Sequence, residues 1–245
     1  VASVDIVGRL TELVRERRQG RSSAADVAAS ALRDLIMEGA LPPGSRVTEE
    51  AFMAPLEVSR NTLREAFRLL THEKLLVHKL NRGVFVRSLV RADVRDLYRV
   101  RKVVECAALG QATEAGIERM TAAVERGERA AAEGRWVDVG TANIRFHQAI
   151  VSLVGSPRLD EMMRQVGAEL RLGFHEMGDA RSFHEGYLRR NREILDRLRG
   201  GEPERAEELL RQYLDDAERE MFDAFLARDG KLAGQPPRNS ESGSP

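Results

Sequence analysis

Cysteine is almost absent from this chain: Cys106 is the only one among 245 residues. A lone thiol excludes an internal disulfide framework and fits a reducing cytoplasm. Set among Val103, Val104, Ala107 and Ala108, it reads as a small buried hydrophobe rather than a redox sensor. No apolar run reaches the roughly 18 residues that a membrane-spanning helix needs. The first residues, Val1 to Gly20, are amphipathic and basic and lack the apolar centre of a secretory signal. Net charge is absent too, because 39 Lys and Arg balance 39 Asp and Glu. An activated nucleophile and a glycine-rich phosphate loop are also missing. The enzyme alternative therefore reduces to His147 acting as a base beside Glu105 in a helical pocket.

The charge is balanced overall but not locally. From Val58 to Arg87 there are seven basic and two acidic side chains, a local excess of five. A neutral chain with one basic module concentrates its field where a phosphate backbone would lie. Within that module, Val58-Ser59-Arg60-Asn61-Thr62-Leu63-Arg64-Glu65 sends a polar, doubly basic turn into the apolar run Leu63, Ala66, Phe67 and Leu70. Such a helix buries one face and offers Ser59, Arg60, Asn61, Thr62 and Arg64 at its start. Hydroxyls and amides suit phosphates and base edges, and arginines suit guanine. Upstream, Ala25 to Met37 has helical spacing, with Ser23 as N-cap and Gly39 as stop. After the rigid Leu41-Pro42-Pro43-Gly44 turn, Thr48 caps a second helix to about Ala54, and Pro55 breaks it. Two short helices and a tight turn make a helix-turn-helix. Downstream, Leu75 to His78 and Val84 to Val86 flank the turn Lys79-Leu80-Asn81-Arg82-Gly83, a basic β-hairpin in the place of a wing.

No β pattern follows residue 90. Helices are expected at about 93–113 (capped by Asp93), 117–133, 136–154, 158–178, 182–199 and 203–228. The fold class is thus mainly α: an N-terminal winged helix-turn-helix with a small hairpin wing, then a six-helix antiparallel bundle. The expected domains are an extension at 1–22, a DNA-binding domain at 23–90, a helical effector-binding and dimerisation domain at 91–229, and a disordered tail at 230–245. On the bundle's apolar stripes sit Arg101, Asn143, His147, Asn191 and Tyr213, which should point inward together. A buried arginine needs an anionic partner. Glu105, one turn on, can supply it, and so can a ligand carboxylate.

The segment Leu32-Arg33-Asp34-Leu35-Ile36…Leu41-Pro42-Pro43-Gly44-Ser45-Arg46-Val47-Thr48-Glu49, continued by Val58 to Leu70 and Gly83-Val84-Phe85-Val86, closely resembles the GntR family winged helix-turn-helix over about residues 25–88. The resemblance implies DNA contacts by Ser59, Arg60, Asn61, Thr62 and Arg64, with Arg46, Arg82 and Gly83 as backbone or wing contacts. Glu57 stands where the family usually has Gly, and Pro55 shortens the preceding helix. The second half resembles the FadR C-terminal ligand-binding domain of one GntR branch. The matching runs are Val100-Arg101-Lys102-Val103-Val104-Glu105, Asn143 to Ile150, Asn191-Arg192-Glu193-Ile194-Leu195 and Tyr213-Leu214. In many members that module holds a divalent metal through an Asp and a His four apart and two later histidines. Here those positions read Asn143, His147, Asn191 and Tyr213. One imidazole, two amides and a phenol suit zinc or nickel poorly, so no metal and no other cofactor is expected; His175 or His184 would have to replace the lost ligands. The resemblance implies a bacterial regulator, in most cases a repressor, that binds a palindromic double-stranded operator as a homodimer. A small organic acid or acyl effector would act through Arg101, Glu105, Asn143, His147, Asn191 and Tyr213. The alternative is a bundle that only dimerises and senses no ligand.

Overall fold

The computed structural model describes residues 23–37, 39–111 and 113–233; the extension expected at 1–22 and most of the tail expected at 230–245 lie outside them. Helix α1 (Ala24–Met37) starts at a reciprocal cap. The Asp26 backbone N–H donates to Ser23 Oγ at 3.1 Å, and the Ser23 N–H donates to Asp26 Oδ2 at 3.2 Å. Its apolar stripe packs on α3 (Arg60–His72), where Leu63, Ala66, Phe67 and Leu70 are buried.

Between them, α2 (Glu49–Leu56) differs from the expectation in two respects. Thr48 holds the N-cap backbone conformation, but its side chain makes no capping bond. Pro55 does not end the helix, which runs one residue past it; the chain turns at Glu57, at φ 52° and ψ 44°. The Glu57 N–H donates back to Ala54 O and Met53 O. A carboxylate side chain thus occupies a left-handed position that glycine takes without steric cost.

The wing is a three-stranded antiparallel sheet rather than a bare hairpin. β1 (Arg46–Val47) pairs with β3 (Gly83–Val86), which pairs with β2 (Leu76–Lys79), in the order β1-β3-β2. Arg46 lies opposite Phe85, and Lys79 opposite Gly83. A two-residue strand carries too little alternation to be read from sequence.

The second domain is α4 (Arg91–Leu109), α5 (Glu114–Ala132), α6 (Trp136–Ser152), α7 (Pro157–Phe174), α8 (Ala180–Arg199) and α9 (Pro203–Ala233). Asp93 is the third residue of α4 rather than its cap, and its carboxylate accepts the Val90 N–H at 2.9 Å. α4 ends before the expected Thr113, at Leu109, and α9 runs past Gly230 into the segment expected to be disordered. Tyr98, Phe146, Tyr213 and Phe225 are among the largest fully buried side chains of the core. Each large apolar side chain taken from water contributes about 1.5–3 kcal/mol.

Candidate functional site

The start of α3 presents the polar residues as expected. Ser59 is the N-cap: its Oγ accepts the Thr62 N–H at 3.2 Å and lies 2.8 Å from Thr62 Oγ1. Arg60, Asn61 and Arg64 are exposed, and no acidic residue occupies the first turn. The free N–H groups and positive dipole end of such a helix favour phosphate. Glu49, at the first position of α2, was not singled out by the sequence. Its carboxylate holds Arg60 Nε at 3.1 Å and Arg64 Nε at 2.6 Å. It therefore aims both guanidinium groups together while leaving them solvent-exposed. Arg46, Arg64 and Gly83 line one concavity of about 990 Å³ between α3 and the sheet. Gly83 has φ 100° and lies under the Arg46 side chain: a Cβ there would sit 3.4 Å from Arg46 Nε. Arg82 is exposed on the turn between β2 and β3.

In the bundle the expected polar residues do come together, and they meet each other first. Arg101 Nε donates to Glu105 Oε1 at 2.7 Å, and Glu105 Oε2 lies 2.6 Å from His147 Nδ1. Glu105 is thus the anionic partner of Arg101. Burial would raise the Glu105 carboxyl, but Arg101 and His147 more than offset this and hold it below the usual carboxylate range. Burial lowers His147, and the Arg101 charge adds to that, against the pull of Glu105. A neutral His147 beside an ionised Glu105 carries its proton on Nδ1, which leaves Nε2 a bare acceptor. That atom is buried and has no partner.

Asn143 forms a second knot. Its Oδ1 accepts from Asn191 Nδ2 at 2.6 Å and from Tyr213 OH at 2.9 Å. Asn191 Oδ1 is buried and unpartnered, like His147 Nε2. The His147 and Tyr213 rings meet edge-on, with centroids 4.9 Å apart. Arg101, Asn143 and His147 line a chamber of about 10 Å³ against α7, room for about one water.

The donor set does not fit a divalent metal. Asn143 Oδ1 is already engaged twice, and burial pushes the Tyr213 phenol up, which keeps it protonated. The two histidines that might replace lost ligands lie elsewhere. His184 packs beside Arg171, where a Cβ on Gly140 would meet Arg171 Nη1 at 2.5 Å and His184 Nε2 at 2.7 Å. A guanidinium neighbour opposes a second cation. His175 abuts Gly39, 2.9 Å from where a Cβ there would lie. No cluster of three or more His, Cys, Asp or Glu side chains with metal-binding geometry exists among the described residues. Cys106 is buried, which pushes its thiol up to about 11. A redox sensor needs the opposite shift.

Comparison with known proteins settles the family. Residues 24–86 match the bacterial regulatory proteins of the gntR family, and residues 96–216 match the FCD domain. The chain belongs to the GntR family of bacterial transcription regulators. It is 30% identical to the uncharacterized HTH-type transcriptional regulator BphR of Paraburkholderia xenovorans, over 75% of this chain and 79% of that one. It is 26% identical to a protein of Paenarthrobacter nicotinovorans named "Probable D-xylose utilization operon transcriptional repressor", over 76% of this chain and 85% of that one. A solved structure of a candidate GntR regulator from Rhodococcus sp. RHA1 superposes with a TM-score of 0.79 at 45% identity, covering 83% of this chain and 99% of that one. These relatives are regulators, not enzymes. No helix of the described residues is long and apolar enough to cross a membrane.

In this GntR-family chain the two domains meet along α7. Glu169, buried in α7, accepts Arg87 Nη1 at 2.5 Å and lies 3.5 Å from Lys74 Nζ. Arg171 Nε donates to Met37 O at the end of α1 at 2.6 Å, and its Nη2 donates to Val137 O at 3.1 Å. Burial pushes the Arg171 guanidinium down to about 10. Backbone carbonyls, one of them at a helix C-terminus, supply the partial negative charge it faces. The sequence offered no signal for the contacts between the domains, because those of Arg87 with Glu169 and of Arg171 with Met37 join residues more than 80 positions apart.

Proposed function

We propose that this GntR-family protein is a cytoplasmic repressor that binds a palindromic operator as a homodimer, and that a small organic acid in the bundle loosens its hold on DNA. Arg60, Asn61 and Arg64 enter the major groove from the start of α3, while Ser59, Thr62, Arg46, Arg82 and Gly83 contact the backbone. Two-fold symmetry then places half-sites about one helical turn apart. In the bundle, Arg101, Asn143 and His147 line the effector chamber without a metal, and Glu105, Asn191 and Tyr213 hold them and complete the effector-binding set.

One observation carries the effector reading: His147 Nε2 and Asn191 Oδ1 are both buried and unpartnered. Few polar atoms in a native interior stay unsatisfied without a reason. Both are acceptors, so the fitting guest brings a hydroxyl or acid proton to them and a carboxylate to the side of Arg101. At about 10 Å³ the chamber admits no acid until α6 and α7 part. That opening is what makes one conformation bind the ligand better than the other, as any switch requires. Gly167, Leu170 and Phe174 of α7 line the chamber, while Glu169 and Arg171 of the same helix hold the DNA-binding domain. A shift of α7 therefore reaches both.

The dimerisation-only reading is favoured by the mutual bonding of the polar cluster and its water-sized chamber. A thermal-shift screen with organic acids and acyl compounds, run on the wild type and on His147→Gln, separates the two. Saturable stabilisation of about 2.7 kcal/mol at a hundred times Kd, lost in the variant, supports sensing. A flat screen together with a bare dimer mass in native mass spectrometry supports dimerisation alone.

A further inference from the structure

Next to the chamber, on the outer side of the same helices, runs a groove of about 350 Å³. Arg119 and Arg126 of α5, Arg145 of α6 and Arg164 of α7 line it, over a floor of small side chains. Arg164 is paired with Glu161. Arg119, Arg126 and Arg145 are exposed and form no ion pair with any described residue, although neighbouring arginines of the bundle, such as Arg129, Arg135 and Arg192, are paired. Three uncompensated guanidinium groups converging on one groove attract anions. The one acid in the lining is Asp160, whose buried Oδ1 has no partner and so accepts a hydroxyl.

Gln148 of α6 belongs to both spaces: it lines the groove and the chamber. It is half-buried, and its Nε2 would lie 3.1 Å from a Cβ on Gly167, so it bridges the gap between α6 and α7. A side chain that separates two cavities by filling the cleft between two helices is a partition that moves when those helices part.

We propose that the arginine groove is the outer half of the effector site and binds a second anionic group, so that the effector is a hydroxylated acid with at least two anionic groups. Its hydroxyl-bearing end enters the chamber at His147, with Asn191 behind Asn143. Its other carboxylate or phosphate stays outside on Arg119, Arg126 and Arg145, and Gln148 swings aside to let the ligand through. This assignment rests on the effector reading above and adds the ligand's charge and its point of entry.

The test is calorimetric titration of the full chain with malate, tartrate and citrate, each set against the monocarboxylates lactate and glycerate, with phosphoglycerate as the phosphate-bearing probe. The variants are Arg126→Ala/Arg145→Ala and His147→Gln. The expected result is that a polyanionic acid binds wild type at least about tenfold more tightly than its monocarboxylate counterpart, and that the arginine double variant removes this margin while monocarboxylate binding holds. Preference for phosphoglycerate over malate within that result names the outer group a phosphate; the reverse names it a carboxylate. If mono- and polyanions bind alike and the double variant changes neither, the outer half is wrong and the effector reading stands. If polyanions bind as tightly to His147→Gln as to wild type, the groove is a separate anion site and the link to the chamber falls. Silence of the whole panel on wild type overturns this assignment, while the effector reading stands or falls by the broader thermal-shift screen.

Discussion

The two halves of the chain hold arginine in opposite ways. At the start of α3, Arg60 and Arg64 lie on the surface and share the single carboxylate of Glu49, with more than half of each side chain exposed. In the bundle, Arg101 is 3% exposed and locked to Glu105. The first arrangement costs little and can be given up to DNA; exposed ion pairs contribute only about 0.2–1 kcal/mol. The second cannot be broken cheaply, because each partner would leave the other as an uncompensated buried charge. A face that must exchange partners keeps its charges wet. A closed interior keeps them dry and paired.

That contrast can be broken most severely at Arg101. Arg101→Ala strands the ionised Glu105 and should cost about 3–5 kcal/mol in urea unfolding, whereas Arg64→Ala should leave the unfolding midpoint nearly unchanged. Equal stability losses at the two sites would remove the distinction.

Acid should reveal the same difference. Burial pushes His184 from 6.5 down to about 4, with Arg171 adding to the shift, and His147 is lowered as well. A folded-state pKa below the unfolded one means that the unfolded chain binds more protons between those values. Stability is then full above about pH 6.5 and falls as the pH drops toward 4, by about 3 kcal/mol from His184. Chemical denaturation from pH 7 to 4 should show this slope, and His184→Phe should flatten it.

On the DNA side the effects are smaller. Arg60→Ala or Arg64→Ala should weaken cognate binding by about 1–3 kcal/mol if the residue reads a base; an equal loss on random duplex would mean phosphate contact alone. Smallest of all, Glu49→Gln frees both arginines from their shared carboxylate. Binding to random DNA should then tighten by a few-fold, in line with about 0.2–1 kcal/mol per exposed pair, and anisotropy at two salt concentrations would read it.

The DNA-binding half was largely legible in the sequence because its signals are local. Ser59, the basic first turn and the apolar run from Leu63 to Leu70 all fall within thirteen residues of one another. What the residues did not show there was short or conformational: the two-residue β1, and an α2 that runs through Pro55 to a turn at the left-handed Glu57. In the bundle, helical spacing brought Arg101, Asn143, His147, Asn191 and Tyr213 to the interior correctly. It could not tell which of them would satisfy the others, since that depends on helices 42 to 70 positions apart. The junction residues Arg87, Glu169 and Arg171 were invisible for the same reason. Nothing in a charged residue's own neighbourhood says that its partner lies in another domain.

Coupling between the start of α3 and the chamber under α7 ties the two halves of the chain together. The affinity of the full protein for a duplex selected from a random pool, measured by anisotropy with and without the acid that stabilises it most, reads that coupling. The expected outcome is a palindromic duplex and an affinity that falls roughly 5- to 150-fold with the acid, with His147→Gln keeping the affinity and losing the response. Equal affinities with and without a saturating acid would mean that the two sites are uncoupled.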